Sequence, residues 1–303
     1  MTQFYKAYNL HIQSTFPLLE LLPIPAPEQI DVQVRTVHEV YPHLDATQPV
    51  HIVPEGVVYR LYPIGVLLVS GGKEITLQTL PESEPALVSD LIVNNAMALI
   101  LHQRGHFVLH ASSVQVDGGA VAFAGESGFG KSTTAATFDQ QGYHMLSDDV
   151  VAVEARGAHP MVFPSFPQVK LLPDAVASLY GSSDALPLQS DDGRKRLYRP
   201  ETDFPQTPQP LKAIYLLDRG DRTQIEPISP RQAMIDLFPH SYIARQIRMF
   251  DVDILKGTGT EGLHFMNVAR LANNVPIRRL RRSFAPGELA ALPDIIREDL
   301  ATL

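Results

Sequence analysis

The chain predicts a mixed α/β fold, α+β in its segregation: a phosphate-binding core on a mixed sheet, preceded by a smaller, mostly antiparallel β region. Three observations point there. Residues 1 to about 80 run as β-rich or alternating segments with no helical period. Residues 107–124 place two β-rich runs around Asp117-Gly118-Gly119, a hairpin pattern. The second run leads directly into Gly125-Glu126-Ser127-Gly128-Phe129-Gly130-Lys131-Ser132, which fits G-x-x-x-x-G-K-[ST] and is followed by a helix-favouring stretch, 132–141. The expected division is an N-terminal β-rich unit, 1–83, and a phosphate-loop unit, 84–303.

The elements follow in order. Residues 30–35 alternate cleanly, 57–62 and 64–70 are β-rich, and Gly71-Gly72 turns the chain into a strand over 74–80. His11, His38, His43 and His51 lack metal-site spacing and read as structural. A buried helix is expected over 84–104, with Ser83 as cap, Pro85 in the first turn and Gly105 at its end. After the hairpin and loop, one strand is expected over 146–153 and an extended, Pro-interrupted stretch over 161–172. Residues 181–210 read as a long loop or lid, and 211–217 as a short strand. Helices are expected at 230–238, 243–254, 261–274 and 286–300, with a strand at 275–280.

Composition narrows the classes. The 303 residues are 45% hydrophobic and 19% charged, an ordinary globular balance. A net charge of −8 argues against nucleic acid as partner, and the absence of cysteine excludes disulfides and thiolate metal sites. The N-terminus lacks a secretory layout. No apolar run is expected to span a bilayer, because Asn94 and Asn95 interrupt the longest, 91–101. The expectation is therefore cytoplasmic, with no membrane partner; a homo-oligomer is compatible with the chain.

The loop string carries the chemistry. Its glycines aim backbone N–H groups inward at a helix N-terminus, a nest for the phosphates of ATP. Residues 125–133, through Thr133, form the expected nucleotide cradle; Lys131 reaches the β/γ-phosphates and Ser132 ligates Mg²⁺. Asp148 and Asp149 lie 17 and 18 residues beyond Lys131. Adjacent strand residues face opposite ways, so the two carboxylates need different tasks unless the backbone bends. Asp148 is assigned as proton acceptor and Asp149 as Mg²⁺ partner, with the reverse order left open. His110, placed mid-strand beside the strand entering the loop, is a candidate catalytic assistant.

Leu109-His110-Ala111-Ser112, the hairpin, residues 125–133 and Asp148-Asp149 together resemble the HPr kinase/phosphorylase family, which is similar in nucleotide-binding architecture to phosphoenolpyruvate carboxykinases. The resemblance covers about residues 105–155 and is fainter over 160–300. It implies that His110 assists, that Asp148 is the base and that Asp149 belongs to the metal site. The stretch 163–173 lacks the family's Gly-rich signature, and the first 105 residues do not look like its N-terminal domain. The chain looks closer to the family's lasso-peptide tailoring kinases, which phosphorylate a serine of a precursor peptide. The resemblance implies an ATP- and Mg²⁺-dependent kinase acting on a peptide or protein serine. Alternatives are a kinase of a small hydroxyl compound such as free serine, and a non-catalytic nucleotide-binding regulator.

Arg194, Lys195 and Arg196 sit in the polar segment as a possible cationic lid over the nucleotide, with Lys170 a similar candidate. Arg278, Arg279, Arg281 and Arg282 read as solvated arginines at a strand end, with a site for an acidic peptide as the alternative.

Overall fold

The computed structural model describes residues 2–45, 47–157, 159–188, 195–200, 203–283 and 287–303. The N-terminal part is a sheet of β1 (Gln3–Ala7), β2 (Leu10–Ser14), β3 (Val32–Thr36), β4 (Val50–Val53), β5 (Gly56–Leu61), β6 (Gly65–Ser70) and β7 (Glu74–Thr79). The spatial order is β1-β2-β3-β7-β6-β5-β4. Pairing is antiparallel except at β2–β3 and β3–β7. The excursion between β2 and β3 returns the chain alongside β2 in the same direction, so two parallel pairs interrupt an otherwise antiparallel sheet.

Helix α1 (Pro85–Gln103) follows. Pro85 occupies the first turn, but Ser83 does not cap it. Its hydroxyl instead donates to the carbonyl of Ile64 at 2.7 Å and accepts from the Leu80 N–H, tying the helix entry to the sheet. The middle of α1, Leu91–Ala96, widens into π-helical turns, a local feature often found at functional sites. Although Asn94 and Asn95 interrupt its apolar run, α1 is long and apolar enough by composition to cross a bilayer. It is instead buried over most of its length inside the fold. Val93, Met97, Ile100 and Leu101 share one hydrophobic cluster with Val57, Tyr59 and Leu77 of the N-terminal sheet and with Val150 and Ile243 from beyond it. Side chains from both sides of the 83/84 boundary therefore pack in one core.

The second sheet contains β8 (Phe107–Leu109), β9 (Ala111–Val116) and β10 (Gly119–Ala124). His110 is not mid-strand; it is the break between β8 and β9, and its N–H donates to the carbonyl of His240 at 2.8 Å. β9 and β10 form the expected antiparallel hairpin, Ala111 opposite Ala124. Beyond the loop come α2 (Lys131–Gln140), β11 (Met145–Ser147), β12 (Val151–Glu154), β13 (Met161–Phe163) and β14 (Val169–Leu171). The single strand expected over 146–153 is thus two, interrupted at Asp148-Asp149; β11 pairs with β9, whereas β12 pairs with β8 and β13.

The C-terminal elements are α3 (Pro173–Tyr180), β15 (Arg196–Tyr198), β16 (Gln209–Arg219), β17 (Gln224–Pro227), α4 (Pro230–Leu237), α5 (Tyr242–Phe250), α6 (Ile254–Thr258), α7 (Glu261–Asn274), β18 (Ile277–Arg282) and α8 (Glu288–Leu300). Three differ from expectation. β15 pairs with β14, so the polar segment contributes a strand rather than loop alone. β16 extends two residues beyond 211–217 at each end and runs parallel to both β10 and β18. The helix expected over 243–254 stops at Asp251, which takes a left-handed φ of +53°, and α6 starts anew. Nor are the β18 arginines simply solvated, because β18 is flanked by β16 and β17. Arg278 pairs with Asp299, Arg279 with Asp236 and Arg281 with Glu226, and Arg282 is buried.

Candidate active site

Parallel strands β10, β16 and β18 set the phosphate loop at a carboxyl-terminal sheet edge, where ligands of open α/β sheets bind. Gly128 and Gly130 hold φ of +82° and +79°, a left-handed conformation that side chains resist, so the loop curls and starts α2 at Lys131. The Lys131 ammonium donates to the carbonyls of Gly125 at 3.0 Å and Glu126 at 3.3 Å, spanning the loop. Burial lowers its pKa, against the pull of Asp149 and Asp148. From behind, the Arg282 guanidinium donates to the carbonyls of Phe129 at 3.2 Å and Gly130 at 3.4 Å.

The break between β11 and β12 separates the two acids. Asp149 has a left-handed φ of +63°, so the alternation of an extended strand does not apply. Asp148 turns toward the loop: its Oδ1 accepts from Ser132 Oγ at 2.9 Å and from Ser112 Oγ at 2.6 Å, and its Oδ2 from the Lys170 N–H at 3.2 Å. Asp149 turns into a cleft. The Ser132 hydroxyl therefore meets Asp148, not Asp149.

The cleft encloses about 300 Å³. One wall carries Ser127, Gly128, Gly130, Lys131, Ser132 and Thr133. His110, Asp149, Lys170 and Lys195 also line the cleft. The far wall holds Asp90, Asn94 and Asn95 of α1 with Tyr242 and Arg245 of α5. Of the nine cradle residues, Gly125, Glu126 and Phe129 do not line this cleft; Glu126 and Phe129 face a separate hollow beside His240 and Arg279.

Electrostatics divides the acids further. Burial raises the Asp148 carboxyl, reinforced by Asp149 and opposed by its three hydrogen-bond donors. Burial would also raise Asp149, but His110 and then Lys195, Lys170 and Arg245 outweigh it and hold that carboxyl below the usual range. Burial lowers the His110 imidazole to about 4, so the ring is neutral near pH 7. His110 Nδ1 lies 3.2 Å from the Asp149 carbonyl and 3.9 Å from its Oδ1. Donation from Nδ1 to that carbonyl leaves Nε2 as the acceptor nitrogen.

The sequence assignments bring together Lys131, Ser132, Asp148, Asp149 and His110. Of the lid residues, Lys195 lines the cleft, Arg196 turns away to pair with Asp184, and Arg194 lies outside the described residues. Asp90, Asn95, Tyr242 and Arg245 of the lining, and the buried Arg282 behind the loop, carry no local sequence signal of a site. Asn94-Asn95 did leave a trace, a polar pair in an otherwise apolar helix, read only as an interruption.

Ser132 and Asp148 present hard oxygen donors 2.9 Å apart beside the phosphate nest, with Asp149 adjacent. This donor set fits Mg²⁺, which is commonly held by one or two carboxylates plus substrate phosphates. Among the described residues no group of three or more His, Asp or Glu forms a self-sufficient metal cage.

Comparison with protein-family models and with curated proteins returns no match. Among solved structures, the chain is similar to the HPr(Ser) kinase/phosphatase from Coxiella burnetii. The two are 11% identical, the alignment covers 64% of this chain and 91% of that one, and the TM-score is 0.32. That likeness is distant, and the chemistry rests on this chain's own residues.

Proposed function

We propose that this protein is an ATP- and Mg²⁺-dependent kinase that transfers the γ-phosphoryl group to a hydroxyl, a serine of a peptide or protein. The observation that carries the reading is the division of the acids: Asp148 hydrogen-bonded to Ser132 at the loop, Asp149 turned into the cleft beside His110. The resemblance to peptide-tailoring kinases supplies the serine acceptor and belongs to the proposal.

The loop N–H groups and Lys131 hold the triphosphate and match the charge developing on the transferred group. Ser132 and Asp148 would hold Mg²⁺, which neutralises charge across the β/γ-oxygens when bound. Asp149, ionised and facing the acceptor space, takes the hydroxyl proton as that oxygen bonds to phosphorus and the bond to ADP breaks. This reverses the roles given to the two acids from sequence. His110 orients Asp149 through its Nδ1, 3.2 Å from the Asp149 carbonyl. Arg245 and Lys195 add positive charge where the phosphoryl group passes.

Incubation with ATP and Mg²⁺ and a library of serine-containing peptides, read by mass spectrometry, tests the proposal. The expected result is a phosphoserine product that requires Lys131. Tight ATP binding with no phosphorylated product from any hydroxyl acceptor would instead favour a nucleotide-binding regulator.

A further inference from the structure

The far wall of the cleft contains a pair of amides whose free atoms are complementary. Asn94 spends its Nδ2 on Asp90 Oδ1, at 2.8 Å. Asn95 accepts at Oδ1 from the Tyr242 hydroxyl, at 3.3 Å. The network fixes both orientations. The Asp90 carboxylate accepts a hydrogen bond, so Asn94 must present its NH₂ to it. The Arg245 guanidinium lies over the Tyr242 ring, 5.6 Å from its centroid, and the Tyr242 hydroxyl gives its proton to Asn95 Oδ1. One acceptor, Asn94 Oδ1, and one donor, Asn95 Nδ2, remain, and both residues line the cleft.

Adjacent residues of an ordinary α-helix do not share a face. The wider π-helical turn over Leu91–Ala96 brings neighbours closer in angle, and here it sets both amides on the cleft side. Asp90 also pairs with Lys170 and Tyr242 is part of the apolar core, so both supports of the amide pair are themselves held in place.

We infer that Asn94 and Asn95 form an acceptor subsite that clasps one secondary amide of a peptide, its N–H on Asn94 Oδ1 and its C=O on Asn95 Nδ2, opposite the phosphate loop. The inference rests on the kinase reading for what the cleft does. It deepens that reading by naming what recognises the acceptor: a peptide group flanking the hydroxyl, not the hydroxyl alone.

The test uses the full chain with Mg²⁺ and a non-hydrolysable ATP analogue, and N-acetyl-L-serine N-methylamide as probe. Side-chain amide NMR signals of Asn95, assigned through Asn95→Asp, report binding without any turnover. The probe is expected to shift those signals. Asn95→Asp, which keeps shape but loses the donor, is expected to weaken probe binding about tenfold. Nucleotide affinity should change less than about twofold in the same variant, which also shows that it folds. Asn94→Ala is expected to weaken the probe similarly, and glycerol, which has hydroxyls but no amide, to leave the Asn95 signals in place. Probe affinity unaltered by both variants, no probe binding, or glycerol binding as well as the amide would overturn the inference. Failure of the analogue to bind would strike the kinase reading itself, while the probe shift still reports on the amide pair.

Discussion

The two walls of the cleft are built on opposite principles. The phosphate-loop wall is mainly backbone: residues 127, 128 and 130–133 of the loop curl through two left-handed glycines and present N–H groups whose placement is set by the chain path rather than by side-chain identity. The far wall is entirely side chain. Asp90, Asn94, Asn95, Tyr242 and Arg245 come from two helices about 150 residues apart; hydrogen bonds join Asp90 to Asn94 and Tyr242 to Asn95, and Arg245 stacks over the Tyr242 ring. The first design fixes the phosphates of any nucleoside triphosphate, because phosphate geometry does not vary. The second can be retuned one residue at a time, which on the proposed kinase reading suits the acceptor.

That contrast breaks first at its strongest point. Lys131→Ala should cost about 10²- to 10³-fold or more in turnover, because the ammonium works where charge accumulates. A steady-state assay of ADP release checks it. Asp149→Asn should lower turnover by about 10²-fold or more while ATP affinity stays within a few-fold, measured by titration of the nucleotide. Such a loss without a binding loss separates chemistry from cradle.

Stability gives a sharper reading of the buried polar groups. Burial lowers His102, His106, His110 and His264 to about 4, against 6.5 when unfolded. The unfolded chain then binds protons that the folded chain refuses between about pH 6.5 and 4, so stability falls as the pH drops through that window. The expected loss is about 2 kcal/mol or more between those limits, read as a falling Tm. His102→Gln should flatten the slope, since His102 faces Thr260 and His264 in the interior. The smallest effect is expected at Arg282→Lys, which keeps the charge but loses the planar guanidinium whose Nη2 donates to both Phe129 and Gly130. ATP affinity should fall about fivefold with kcat nearly intact.

The same contrast explains what the sequence made legible. The loop, the hairpin feeding it and the pair Asp148-Asp149 are local strings, and a string of backbone requirements shows in consecutive residues. The strand break at His110 was not visible, because a β-rich run does not disclose that its two halves pair with different neighbours. The same holds at Asp148-Asp149, where a single left-handed residue reverses which carboxylate meets Ser132. Arg245 and Tyr242 give no local signal, since a cation and an aromatic ring on an amphipathic helix look like any surface pair until α5 is docked. Arg282 looked solvated for the related reason that strand order, not composition, decides which arginine lies beneath the loop.

The most direct measurement compares Asp148→Asn and Asp149→Asn across a magnesium titration at saturating ATP, with phosphorylated peptide quantified by mass spectrometry. The account predicts that Asp148→Asn shifts half-saturation to higher Mg²⁺, and that Asp149→Asn keeps the half-saturation point but lowers the plateau. The opposite pattern would contradict the assignment of Asp148 to the metal and Asp149 to the acceptor proton. Full activity in both variants would contradict a role for the acid pair in the chemistry at all.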